Sequence, residues 1–520
     1  MRRSVIAASL LALLLALAAA APAVAAAPGD GSRLPKWVKL ENVRKHQKAL
    51  DDIGAANGGT RQVGTPGYEI SAKYVEKQIT RDKELSEYYT VRRDPFDYNF
   101  YEQRGPSTLA QTQPDQVTYT EGATADYQTL TYSGSGDVTA TAQAVDTTIA
   151  DSGCEAADFA GFTAGRIALV KRGTCTFQVK AANAQAAGAV AVVIFNDGAD
   201  PTRTGPVAGT LGRPFTIPVL GPSFALGSQL VTLAAAGTLQ LHVVTNTLNE
   251  PRSSFNVLVE SKAGAADNVV VVGAHLDSVP AGPGINDNGS GTATILEIAK
   301  QLPRLGNKVK NKVRFAFWGA EELGLLGSTA YVTELAGNGE LANVALNLNF
   351  DMLGSPNFVR FVYDGDNSAF PPPASTPGPP GSGAIEKAFV DYFGGRGLQT
   401  DPTAFNGRSD YGPFIAQGVP AGGLFSGAEG VKTDEQAAVY GGSAGQAYDP
   451  CYHQACDTFS NNSDPGLDQL VDGAASVVEQ YAYSTVTVNG AASRRAVAAA
   501  QARAAAGQAA PEFVGHLLQR

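Results

Sequence analysis

The period of the hydrophobic pattern changes along the chain, and the changes mark out its parts. Val38, Leu40, Val43, Leu50 and Ile53 are spaced as one buried helical face, so residues 36–85 are expected to be largely helical. Asn57-Gly58-Gly59 and Gly64-Thr65-Pro66-Gly67 break that pattern, and the stretch Asn57 to Tyr68 reads by itself only as a loop between helices. From about 110 to 250 the texture shifts to short alternating strands rich in Thr, Val, Ala and Gly. Here 166–173 reads as strand and turn, 176–187 as a helix, and 190–195 and 217–220 as strands. Between 250 and 490 strand and helix patterns alternate, which predicts an α/β fold: a mostly parallel (mixed) sheet flanked by helices. Four successive valines, Val269 to Val272, mark a strand buried on both faces, with further strands at 313–317 and 347–350. The proline-rich stretch 371–382 is expected to be an exposed loop or flap. The alanine-rich stretch 491–520 is either a frayed helix or a removable tail.

Composition narrows the class. At 520 residues, with 44% hydrophobic and 17% charged residues, the chain is globular and long enough for two or three domains. A net charge of −10 implies no basic surface and argues against a nucleic-acid partner. Residues 1–27 read as a secretory signal peptide: Arg2-Arg3, then an uncharged apolar run from Val5 to Ala20, then small-residue cleavage sites at Ala23 to Ala27. The alternative, a membrane anchor, is weakened because the run is short and no basic stop follows. No later stretch is apolar enough to span a bilayer. In a secreted chain four cysteines suggest two disulfides, and proximity favours Cys154–Cys175 and Cys451–Cys456. A metal site from Cys451, His453 and Cys456 is the other option, which export to an oxidising compartment disfavours.

Candidate chemistry collects where the predicted strands end. The valine strand runs into His275-Leu276-Asp277, and a Gly/Pro-rich loop then delivers Asp287 ahead of a helical pattern. In open α/β sheets ligands bind beyond the carboxyl ends of the strands. Asp277, two residues past His275 on the same face, is placed to hold the imidazole from behind. A second strand runs into Glu321-Glu322, whose side chains diverge, so that one can bind metal while the other faces substrate as a base. Alone, such a pair reads as solvated surface, and Asp351 at the third strand end reads alone as a cap. Of the five histidines, only His275 and His453 sit among loop acids, whereas His242 lies in a strand-like context and reads as a core or surface residue. One imidazole per metal with carboxylates beside it suits two Zn²⁺ sharing a bridging acid.

Taken together, the segments around His275-Leu276-Asp277, Gly284 to Gly291, Trp318 to Gly324, Asn349 to Met352 and Cys451-Tyr452-His453 resemble, in order, the M28 family of zinc exopeptidases. Secreted bacterial leucine-type aminopeptidases are the nearest match within it. The segment Asn57 to Tyr68 resembles that family's N-terminal stretch, and 115–248 resembles a protease-associated (PA) domain, most clearly at 165–177. The resemblance implies a discontinuous peptidase domain, 36–110 and 249–490, with the PA domain inserted and 491–520 as a tail.

Carried over, it makes Asp287 the bridging ligand, His275 and Asp351 the rest of one zinc site, and Glu322 and His453 the rest of the other. Glu321 is then the general base and Tyr452 the donor to the oxyanion. A cis peptide at Asp287-Asn288 is also implied. For substrate, it points to Arg408 and Asp410 near the α-amine, although the two also read as an ordinary ion pair. Phe425 falls in a pocket wall suited to large apolar residues. The Cys451–Cys456 loop would fix Tyr452 and His453. Asp468 and Asp472 match half of a calcium site found in some members, but Trp37-Val38 stands where an acid is expected, which weighs against calcium.

The expected protein is a secreted monomeric aminopeptidase acting on peptide N-termini, leucine especially, with no membrane or nucleic-acid partner. The alternatives are a metallo-carboxypeptidase or dipeptidase, which would need a basic pocket, and a non-catalytic binding protein of this fold, which would have lost ligands.

Overall fold

The computed structural model describes residues 31–490 apart from 373, 374 and 377; the signal segment 1–27 and the tail 491–520, with His516, lie outside the described residues. Two eight-stranded sheets organise them. Across the first, the strands run in the order Tyr89–Gln103, Thr247–Ser261, Asn311–Trp318, Ala265–His275, Val344–Phe350, Ala421–Phe425, Phe361–Tyr363, Asp401–Thr403. Its centre is parallel: Ala265–His275 pairs in parallel with both Asn311–Trp318 and Val344–Phe350, which in turn pairs in parallel with Ala421–Phe425. The antiparallel pairings lie towards the edges, so the sheet is mixed.

The valine run explains why this strand is central. Val270 and Val272 pack into the larger core with Phe315, Phe317, Leu346 and Leu348, while Val269 and Val271 pack on the opposite face with Ala316, Trp318, Tyr331 and Phe414. Successive side chains of a strand point to opposite faces, so an unbroken apolar run can satisfy two cores at once. Each fully buried valine contributes roughly 1.5–3 kcal/mol. Helix Gly289–Gln301 packs beside the strand and is buried at every position from Gly289 to Ala299. Asn288 starts it, its side chain accepting the Gly291 N–H at 2.9 Å.

The N-terminal region is helical as expected, over Leu40–Ala56 and Pro66–Thr80, but the buried face of the first helix is turned from its hydrophobic pattern. Val43, His46, Gln47, Leu50 and Gly54 face inward, while Leu40 and Ile53 are only half-buried. Polar contacts account for the rotation. Gln47 Nε2 donates to the Ile285 carbonyl at 3.1 Å, and His46 Nε2 lies 3.4 Å from the buried Glu297 carboxylate.

Tyr89–Gln103 and Thr247–Ser261 pair antiparallel along their full length, from Tyr89↔Ser261 to Gln103↔Thr247. This two-stranded ribbon leads from the first sheet into the second, which residues between 108 and 245 build. Parallel strands Ile167–Lys171 and Ala191–Phe195 lie near its middle, and helices Phe177–Ala186 and Phe224–Ala235 are capped by Thr176 and Ser223. The Cys154–Cys175 disulfide lies here. His242 is a surface residue, pairing across strands with Asp137 at 2.8 Å. No helix among the described residues is long and apolar enough to cross a membrane.

Candidate active site

Three neighbouring strands of the first sheet end within reach of one another. His275 is the last residue of the central strand, Asp351 follows Val344–Phe350 directly, and Glu321 and Glu322 lie just beyond Asn311–Trp318. Asp287 comes from the loop before helix Gly289–Gln301, across a cis Asp287-Asn288 peptide, and His453 comes from a distant loop. Side-chain oxygens and nitrogens meet at short range. Asp287 Oδ1 is 3.1 Å from His275 Nε2, and Asp287 Oδ2 is 3.2 Å from His453 Nε2. His275 Nε2 is also 3.3 Å from Asp351 Oδ1, and His453 Nε2 is 3.1 Å from Glu322 Oε2. The two carboxylate oxygens of Asp287 thus face two different imidazoles, each of which has a carboxylate of its own.

The backbone carries the side chains there in unusual conformations. Ala320, Met352 and His453, residues beside or within the cluster, have φ of 57°, 56° and 58°. Non-glycine residues seldom adopt this left-handed region, and such departures concentrate at functional sites.

Charge explains what the cluster demands. Burial alone would lower the His275 pKa, but the carboxylates of Asp351 and Glu321 raise it well above the ordinary histidine value. His453 behaves alike: burial opposes, and Glu322 and Asp287 prevail, raising it to about 11. Asp287 is held below the usual carboxylate range by both histidines despite its burial. Burial, with Asp351 and Glu322 adding to it, raises Glu321 well above an ordinary glutamate, against the pull of His275. A buried group of acids this dense calls for positive charge. Asp287 Oδ2, both Glu322 oxygens and Asp351 Oδ1 accept no hydrogen bond among the described residues. Donor atoms of His275, Asp287 and Glu322, and of His275, Glu321 and Asp351, lie within 4.8 Å of one another. Imidazole nitrogen and carboxylate oxygen at such spacing suit Zn²⁺.

A layer of hydrogen bonds holds these groups in place. Asp277 accepts the backbone N–H groups of Glu321 at 3.2 Å and Glu322 at 3.4 Å, fixing the acidic pair. Its carboxylate is 3.7 Å from His275 Nδ1, but its backbone carbonyl is nearer, at 3.3 Å; the carbonyl is therefore the acceptor behind the imidazole, a correction to the role expected of the carboxylate. Ser409 Oγ donates to Asp351 Oδ2 at 2.6 Å. Asp457 accepts the N–H groups of Asn286 at 2.8 Å and Asp287 at 2.9 Å.

Most unexpected is Arg61, in the segment that reads as a plain loop. It is fully buried and donates to the carbonyls of Pro283 at 2.6 Å, Gly284 at 2.7 Å and Leu276. Burial lowers it to about 10, while Asp277, Asp457, Asp287 and Glu322 act to raise it. Arg61 therefore ties the residue after His275 to the loop that carries Asp287 and brings positive charge behind the acids. No periodicity or motif spacing signals it, because a single arginine in a Gly-rich turn normally faces water.

The remaining predicted residues divide. Tyr452 stacks on His453 with ring centroids 3.8 Å apart, and burial, with Asp287 and Glu322 adding to it, raises its phenol well above the usual value. Cys451 and Cys456 form a disulfide bracketing both. Phe425 and Arg408 line a cavity of about 240 Å³ beside Asp351 and Tyr452, walled by Phe361, Tyr363 and Tyr448. Arg408 pairs with Glu429 at 2.9 Å and not with Asp410. Asp410 lies buried outside that cavity lining, its pKa raised well above normal by burial and by Glu321, so the expected Arg408–Asp410 ion pair is not formed. Near Asp468 and Asp472, the protein's own Arg396 and Lys39 supply positive charge; burial and Asp468 nevertheless raise Asp472 to about 6.

Comparison with known proteins adds a lineage to this geometry. Peptidase family M28 matches residues 256–478, and the PA domain matches residues 138–230. An aminopeptidase of Pseudomonas aeruginosa (strain UCBPP-PA14) is 45% identical over 467 residues, 88% of this chain and 83% of that protein. The probable leucine aminopeptidase 2 of Aspergillus fumigatus is 40% identical over 434 residues, 82% of this chain and 80% of its own length. Among solved structures, BSAP, a zinc aminopeptidase from Bacillus subtilis, superposes with a TM-score of 0.53 at 25% identity, covering 85% of this chain and 94% of that one.

Proposed function

The chain belongs to peptidase family M28, and from that premise we propose that it is a secreted di-zinc aminopeptidase releasing large apolar residues, leucine above all, from peptide N-termini. It is a metallo-exopeptidase and, like its relatives, an aminopeptidase. The observation that carries the two-metal reading is Asp287, whose oxygens face His275 on one side and His453 on the other at 3.1 and 3.2 Å. Asp287 would bridge, with His275 and Asp351 completing one site and Glu322 and His453 the other. Zinc bound there would polarise the scissile carbonyl and lower the pKa of a water towards neutrality.

The chain's own groups do the rest. Glu321, buried and raised in pKa, accepts the proton of the attacking water and returns it to the leaving amine nitrogen. Tyr452, held protonated, donates from its phenol to the oxygen on which negative charge develops. Asp277 keeps the acidic pair in position through the two N–H groups it accepts, and Ser409 orients Asp351. The aromatic-walled cavity beside Asp351, with Phe425 stacked at 6.5 Å on Tyr363, suits one large apolar side chain. A free α-amine finds negative charge around it at Glu321 and Asp351. A carboxypeptidase would instead need a cation for the terminal carboxylate, and Arg408, the cation of that cavity, is engaged by Glu429. Secretion is supported by the signal-like residues 1–27 and by two disulfides.

The test is hydrolysis of leucine p-nitroanilide against its N-acetyl form, with chelator and zinc add-back. Activity on the free amine alone, lost to the chelator and restored by zinc, is expected. Equal activity on the acetylated substrate would contradict the reading.

A further inference from the structure

A second cavity, of about 460 Å³, lies on the other side of the cluster and shares no lining residue with the aromatic one. One wall is catalytic, with Glu322 and His453; the facing wall comes from the second sheet's region, with Gln128, Thr131, Tyr132 and Ala208. The two cavities meet at the cluster, because Tyr452 of the first stacks on His453 of the second. A substrate whose first side chain fills the aromatic cavity and whose scissile bond lies at the cluster must continue into this second space.

The facing wall is fixed to the catalytic domain. Tyr132 donates from its hydroxyl to the Asn99 carbonyl at 3.0 Å, on the ribbon that joins the two sheets. Its ring meets Tyr101 of the same ribbon edge-on, with centroids 5.7 Å apart. Thr131 is tied to Gly209 by a backbone hydrogen bond of 2.9 Å. The chemistry suits a peptide main chain: Gln128 brings an amide and Thr131 a hydroxyl. The Tyr101 hydroxyl lines the cavity and has no hydrogen-bond partner among the described residues. Buried polar groups of this kind are normally satisfied, and a bound amide would satisfy it.

We propose that the inserted β-rich domain forms the subsite for the peptide residues that follow the scissile bond, receiving an extended main chain between Gln128–Tyr132 and the Glu322–His453 edge of the catalytic centre. This rests on the aminopeptidase reading and says what the insertion contributes to it.

The test compares leucinamide, which has nothing beyond the scissile bond, with Leu-Gly-Gly on the zinc-loaded enzyme. In the wild type kcat/KM is expected to be higher for the tripeptide. Ala208→Trp, which fills the cavity, should lower the tripeptide-to-leucinamide ratio by about 10-fold, and Gln128→Ala by about 3-fold. If Ala208→Trp loses both activities through misfolding, the ratio in Gln128→Ala decides. An unchanged ratio in the folded variants overturns the proposal. A wild type that hydrolyses neither substrate fails the aminopeptidase reading itself, a different outcome from a wild type active on both whose variants keep its ratio.

Discussion

The two halves of the cluster are held by different means. His275 and Asp351 sit at the ends of adjacent buried strands, and the His275 side chain is 0% exposed. Thr292 donates to the His275 carbonyl and Ser409 to the Asp351 carboxylate, both at 2.6 Å. Glu322 and His453 are loop residues, and the His453 side chain is 30% exposed, on a loop closed by the Cys451–Cys456 disulfide. Asp287 faces both. The strand-borne half is positioned by the sheet itself, which is why it is buried and densely bonded. The loop-borne half is where solvent and the leaving group reach the site, and a crosslink stands in for the missing sheet. A five-residue separation gives that crosslink little entropic effect on the unfolded chain, so its consequence is chiefly local geometry.

Adjacent residues give the sharpest way to separate the halves. Glu321 lies 3.9 Å from His275, whereas Glu322 reaches His453. Glu321→Gln should lower kcat by roughly 10²–10⁴-fold while zinc content stays at the wild-type level. Glu322→Gln should lose metal from the loop half. Zinc measured per chain beside kcat checks both, and loss of zinc from Glu321→Gln would erase the distinction.

A smaller effect tests what lies behind both halves. Arg61→Met leaves the carbonyls of Leu276, Pro283 and Gly284 without that donor, at about 1–3 kcal/mol for each buried group left unsatisfied. The zinc-loaded enzyme should unfold at a temperature lower by on the order of 5 °C. Arg61→Lys, a single charge without the planar fork, should recover only part of the loss. An unchanged unfolding temperature in Arg61→Met would mean that the loop bearing Asp287 holds itself.

How far the chain discloses this in advance depends on the range of the interaction. The valine strand, the helices behind it and the acids at the strand ends are legible because periodicity and local motifs are short-range signals. The supports are not. Ser409 meets Asp351 across 58 residues, Asp457 meets Asp287 across 170, and Arg61 meets Leu276 across 215. Arg408 and Asp410 show the same limit from the other side: proximity in sequence suggests a pair, but burial separates Asp410 from the surface where Arg408 finds Glu429. Polar partners also turned the helix Leu40–Ala56, whose apolar spacing alone would leave His46 and Gln47 outside the core. The second cavity could not be read at all, since its walls come from segments separated by 70 residues or more and meet only once the ribbon pairs.

The central claim is that one aspartate serves both halves. The direct measurement is zinc bound per chain in the wild type, in His453→Ala and in Asp287→Ala, after dialysis against a weak chelator. Two ions in the wild type, one in His453→Ala and none in Asp287→Ala are the predicted results. A single ion in the wild type, or two retained by Asp287→Ala, would contradict it.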